Sequence, residues 1–60
     1  MKLTKEQRVA LKRVYDRDPS VAPSYLQFRR QAVPAIGIDC VMIHWKSMWL
    51  GIETDGYVHS

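Results

Sequence analysis

The side chains that could do chemistry in this sequence lie mostly in its second half. Cysteine, histidine and carboxylate groups can ligate a metal ion, and a thiol beside an imidazole can act as a nucleophile with its base. What these residues can do depends on their spacing. The candidates are Asp39, Cys40, His44, Glu53, Asp55 and His59.

A shared metal ion is a poor fit to this set. Cys40 and His44 fall on the same side of a predicted strand, where four residues span about 13 Å. Zinc ligands lie about 2 Å from the metal. The chain also lacks Cys-x-x-Cys and His-x₃-His spacings. We therefore predict no metal site and no cofactor, and we interpret Cys40 as a buried thiol.

Nucleophilic catalysis meets a similar objection. Cys40 would have to lie within hydrogen-bond reach of His44 or His59, beside a third group and in a pocket that excludes water. A chain of 60 residues has little volume for such a pocket. Phosphate-loop and dinucleotide-binding motifs are absent from the sequence. We predict that the protein is not an enzyme.

Positive charge is concentrated in the first half. Residues 1–30 contain eight basic and three acidic side chains, a balance of +5, whereas residues 31–60 balance at −2. Such asymmetry favours an acidic partner, either nucleic acid or an acidic host protein, bound in a salt-sensitive way. A basic face that is only solvated is the alternative. The candidate contacts are Lys5, Arg8, Lys12, Arg13, Arg29 and Arg30.

The first helix is predicted over residues 4–17. Thr4 and Gln7 fit a capping box, and apolar residues follow at helical spacing. Lys5, Arg8 and Lys12 recur at intervals of three and four, which places them on one face. The helix ends before Pro19, because the residue that precedes a proline avoids the helical region.

A second, shorter helix is predicted over residues 24–32. Ser24 offers the N-cap, and Val33-Pro34 stops the helix. The connector over residues 18–23 contains two prolines and is longer than the tight turn of a helix-turn-helix motif, so that motif is weakly supported.

The second half changes to the alternating pattern of strands. Folding residues 40–53 back about Lys46-Ser47 places three apolar pairs on one sheet face, namely Trp45 with Met48, Ile43 with Leu50 and Val41 with Ile52. Two-residue turns favour Gly, Asn or Asp, so a four-residue loop is the alternative. Asp55-Gly56 predicts a turn into a short third strand at residues 57–60.

These elements predict one α+β domain over residues 1–60, with two N-terminal helices packed on a two- or three-stranded antiparallel sheet. The other sheet face would present Met42, His44 and Trp49. Tryptophan and methionine are enriched at protein interfaces, so we predict a protein contact there, with homo-oligomers as one form. Cover by the tail at Tyr57 and Val58 is the alternative.

The compartment is predicted from three features of the sequence. The sequence has no apolar run of about 18 residues, no apolar signal-peptide region near its charged start, and a single cysteine, Cys40. A lone thiol fits a reducing cytosol. We expect a cytoplasmic protein without a membrane partner or a small-molecule substrate.

Parts of the chain resemble small proteins encoded by tailed bacteriophages and prophages. The stretches that carry the resemblance are 25–30, 48–53, 55–57 and 59–60. The resemblance implies a viral origin but no activity, and it supplies no functional residues. We therefore expect a small phage-type binding module that acts as an accessory protein. A minor virion component and a host-protein inhibitor are the alternatives.

Overall fold

The protein combines two helices with a four-stranded antiparallel sheet, seen in a computed structural model that describes residues 2–18 and 24–60. The α+β class is as predicted, but the sheet has four strands instead of two or three, because residues 33–34 add an edge strand that the sequence analysis did not predict. The sheet order is β1-β2-β3-β4. The elements are α1 (Lys5–Arg17), α2 (Tyr25–Arg30), β1 (Val33–Pro34), β2 (Cys40–Trp45), β3 (Met48–Glu53) and β4 (Val58–His59).

Helix α1 begins with the predicted capping box. The Thr4 hydroxyl accepts the Gln7 N–H at 3.1 Å, and the Gln7 side chain accepts the Thr4 N–H at 2.9 Å. The same residues also reach the sheet. The Thr4 hydroxyl donates to the Thr54 carbonyl at 2.7 Å, and Gln7 Nε2 donates to the Ile52 carbonyl at 3.1 Å. The cap therefore both starts the helix and attaches it to the end of β3.

The central hairpin has the predicted register. Trp45 pairs with Met48, Ile43 with Leu50, and Val41 with Ile52. The connection is a two-residue turn, because strand pairing continues up to Lys46 and Ser47 on both sides. Both turn residues have positive φ, 50° and 65°. This is the conformation of a type I′ turn, which matches the twist of the strands it joins.

The bounds of the short elements differ from the prediction. Helix α2 ends at Arg30 rather than at residue 32, because the chain extends into β1, which the sequence analysis assigned to a helix stop. Val33 pairs with Met42, and Pro34 with Val41. Proline lacks an N–H for the ladder, so β1 is an edge strand.

The C-terminal strand is also shorter than predicted. It spans Val58–His59 instead of 57–60. The predicted connector lies outside the described residues apart from Asp18. Neither described helix is long and apolar enough to cross a membrane.

The core draws on both helices and both central strands. Leu11, Ile43 and Ile52 have no exposed surface. We call the sheet face that contributes to this core the inner face; residues that alternate with its members project from the outer face. The core contains Ala10, Leu11, Val14, Phe28, Ala32, Val41, Ile43, Leu50 and Ile52.

Candidate functional site

One cleft is lined by basic side chains from α1, from α2 and from the residues that precede α1. The cleft has a volume of about 470 Å³, equal to a sphere roughly 10 Å across. Its described lining contains no carboxylate. We call it the cationic cleft, and its lining residues are Lys2, Leu3, Arg8, Arg29, Arg30 and Ala32.

Contacts between the two helices bring these cations together. The Tyr25 hydroxyl donates to the Arg8 carbonyl at 3.1 Å, which ties the start of α2 to α1. The Tyr15 ring packs against Tyr25 and Phe28, with centroids 5.9 and 5.5 Å apart. Because Phe28 is buried in the core, α2 is held in one position. The last turn of α2 then presents Arg29 and Arg30 to the cleft that Arg8 lines.

The charge in the cleft is not neutralised by nearby carboxylates. The ion pairs among the described residues involve none of Lys2, Arg8, Arg29 and Arg30. The Arg29 guanidinium lies 5.9 Å from the centre of the Tyr25 ring, a cation–π contact that restrains it without reducing its charge. A concave surface that holds several cations raises the local concentration of anions.

The other predicted basic residues lie elsewhere. Lys12 Nζ contacts Asp16 at 2.6 Å and lies within 6 Å of the ring centres of Tyr15 and Tyr25. The hydrogen bond to Asp16 raises the pKa of Lys12 above its ordinary value. Lys12 is therefore already paired with a carboxylate on its own helix.

Lys5 and Arg13 line a second groove, on another side of α1. Glu6 and Asp55 line the same groove and offset its positive charge. The structure thus separates these two residues from Arg8, Arg29 and Arg30. It also adds Lys2 to the cleft, a residue for which the sequence analysis predicted no role and whose only signal was its charge.

The predicted interface residue Trp49 is solvent-exposed on the outer sheet face. Trp49 is 53% exposed and pairs across the hairpin with His44. Their ring centroids are 5.2 Å apart. Met42 is half-buried on the same face, opposite Val33 of β1. The three predicted interface residues therefore share one surface.

Strand β4 extends this face instead of covering it. Val58 pairs with Ile52 and packs against the core, while His59 pairs with Gly51 on the outer side. The His59 ring occupies the space above Gly51, since a Cβ there would lie 2.7 Å from His59 Cε1. Tyr57 is 65% exposed. The tail thus leaves Trp49 accessible.

The candidate metal ligands and nucleophile form at most pairs among the described residues. Cys40 is buried and forms no disulfide. His59 Nε2 lies 3.4 Å from Glu53 Oε2, an ion pair when the imidazole is protonated. Within residues 2–18 and 24–60, no three Cys, His or carboxylate side chains are close enough to hold one metal ion.

The fold and the two surfaces define a small α+β domain with a cationic cleft and an open aromatic sheet face. Comparison with protein-family models, curated proteins and solved structures gave no match. The resemblance to phage proteins therefore stays a prediction. The functional case depends on the geometry of the cationic cleft and the outer face.

Proposed function

We propose that the protein is a small binding module without catalytic activity and that its cationic cleft contacts the phosphates of a nucleic acid. The observation that carries this proposal is the convergence of Lys2, Arg8, Arg29 and Arg30 on one cleft whose described lining has no carboxylate. The guanidinium fork matches phosphate oxygens, and three of the four cations are arginines.

The dense charge of a nucleic acid also favours it over an acidic protein. DNA carries one negative charge per about 1.7 Å of helix axis. A backbone phosphate can therefore reach the cationic cleft in any register of the duplex. An acidic protein is the other outcome of the test. The resemblance to phage proteins is compatible with an accessory protein of the bacterial cytoplasm and with a minor component of the particle.

The test is fluorescence anisotropy with an unphosphorylated random-sequence DNA duplex at 50 and 200 mM salt. Arg8 and Arg30 are exposed, so replacing both by Gln removes charge without disturbing the core. We expect the wild-type affinity to fall steeply with salt, and we expect the Arg8→Gln/Arg30→Gln variant to lose about two units of the log–log salt slope.

The matched control is Lys5→Gln/Arg13→Gln, which removes the same charge from the second groove. The proposal predicts near-wild-type binding for this control. Equal losses in both double variants would mean that diffuse charge, and not the cleft, attracts DNA. Absence of wild-type binding at 50 mM salt would overturn the proposal and turn the search to an acidic protein.

The exposure of Trp49 favours a second candidate function, self-association through the outer sheet face. Both helices contribute to the core on the inner face, and this arrangement leaves the outer face open. The described strands place no Lys or Arg on it, and its carboxylate at Glu53 lies 3.4 Å from His59 Nε2. Two copies could therefore meet there without the repulsion that the cationic helices would cause.

Sedimentation velocity over a range of concentrations tests this second function. The outer face offers one largely exposed aromatic side chain, Trp49, as an anchor, so we expect weak association. Trp49→Ala should abolish the concentration dependence, while Val9→Ala, which shortens an exposed apolar side chain on α1, should not. A wild-type protein that stays monomeric at millimolar concentration would exclude a second copy as the occupant.

A further inference from the structure

We propose that the cationic cleft prefers a terminal phosphomonoester, such as the phosphorylated end of a nucleic acid strand, to the internal phosphodiesters of the backbone. This inference rests on the proposed function and names the part of the nucleic acid that the cleft binds. Its basis is the match between four cations around one concavity and the charge of the ligand.

The two kinds of phosphate differ in charge and in acceptors. An internal phosphodiester carries one negative charge and two oxygens free of ester bonds. A phosphomonoester carries a charge of about −1.5 to −2 at pH 7 and three acceptor oxygens. Three guanidinium groups and one ammonium provide more donors than a phosphodiester can accept, whereas a phosphomonoester uses more of them.

The shape of the cleft points to the same ligand. Its volume of about 470 Å³ is in the range of small-ligand pockets, large enough for one nucleotide. Leu3 and Ala32 give the lining an apolar part beside the cations. A strand end can enter such a concavity with its sugar against the apolar part, whereas an internal phosphate is flanked by chain on both sides.

The second groove, on another side of α1, can be compared with the cationic cleft. The groove lined by Lys5 and Arg13 has two cations and the carboxylates of Glu6 and Asp55. It lacks the excess positive charge that a dianion requires. The preference for a terminal phosphate is therefore assigned to the cationic cleft alone.

The test compares two duplexes that differ only in one 5′-phosphate, each labelled at a distant 3′ end. We expect the phosphorylated duplex to bind about tenfold more tightly at pH 7.5. Arg8→Gln/Arg30→Gln should bring this ratio to about one, and Lys5→Gln/Arg13→Gln should leave it unchanged. The ratio should fall between pH 7.5 and 5, because the second pKa of the phosphate is about 6 and the phosphomonoester loses charge over this range.

The outcomes separate this inference from the proposed function. Equal affinity for the two duplexes, with both weakened by Arg8→Gln/Arg30→Gln, would overturn the preference for a strand end and leave nucleic-acid binding in place. Failure of both duplexes to bind at 50 mM salt would overturn both proposals. Equally tight capture of a phosphoserine peptide of matched charge would show that the cleft recognises the phosphate group without the nucleic acid, and would also overturn the inference.

Discussion

At the scale of single residues, the hairpin turn stores the clearest local strain in the described chain. Lys46 and Ser47 adopt positive φ although neither is Gly, Asn or Asp. This region costs an L-residue with a Cβ about 1 kcal/mol or more. The strands therefore impose the turn, since the apolar pairing on the inner face determines where the chain must reverse.

Ser47→Gly should stabilise the protein by about 0.5–1 kcal/mol, because removing the Cβ relieves more strain than the added freedom of the unfolded chain costs. Urea denaturation followed by tryptophan fluorescence measures the change. Ser24→Gly is the matched control, since Ser24 caps α2 at φ −157° and its loss should destabilise by a few tenths of a kcal/mol. A less stable Ser47→Gly variant would show that the turn is not of the primed type.

Two basic residues on the same face of α1 have different neighbours, and only one of them lines the cationic cleft. Arg8 and Lys12 are four residues apart on α1, yet Arg8 lines the cationic cleft and Lys12 pairs with Asp16. Their shared helical face is consistent with the sequence spacing. What separates them is the position of α2, which no spacing within α1 reveals.

At the scale of elements, the parts that the sequence predicts well are those with a long repeating pattern. Residues 40–53 alternate over two strands, and a slip of one residue would place their apolar side chains on the outer face. This constraint explains why the predicted register agrees with the structure. The capping box is equally specific, because Thr4 and Gln7 satisfy each other's backbone and side-chain groups.

Short elements carry too little pattern to be predicted. Strand β1 has two residues, one of them a proline, so its sequence indicates only the end of a helix. Its place at the edge is decided by pairing with Met42 and Val41.

The cationic cleft could not be predicted from the sequence for a similar reason. Arg8 lies near Arg29 and Arg30 because the Tyr25 hydroxyl donates a hydrogen bond to the Arg8 carbonyl and so holds α2 against α1. The outer-face residues were predictable because they alternate with the core.

At the scale of the whole molecule, the two candidate surfaces lie on different layers. The cationic cleft is formed by α1, α2 and the residues that flank them, whereas Trp49 and His44 project from the outer face of the sheet. The outer face and the inner face are opposite sides of the same strands. A ligand confined to one surface therefore leaves the other free, and the two proposed activities are physically separable.

An NMR titration of the ¹⁵N-labelled protein with an unlabelled DNA duplex uses this separation to test the central claim. The account predicts that amide resonances of Arg8, Arg29 and Arg30 shift in proportion to binding while the Trp49 indole resonance stays in place. Shifts concentrated at Trp49 and His44, with the cleft resonances unmoved, would contradict it and assign binding to the outer sheet face.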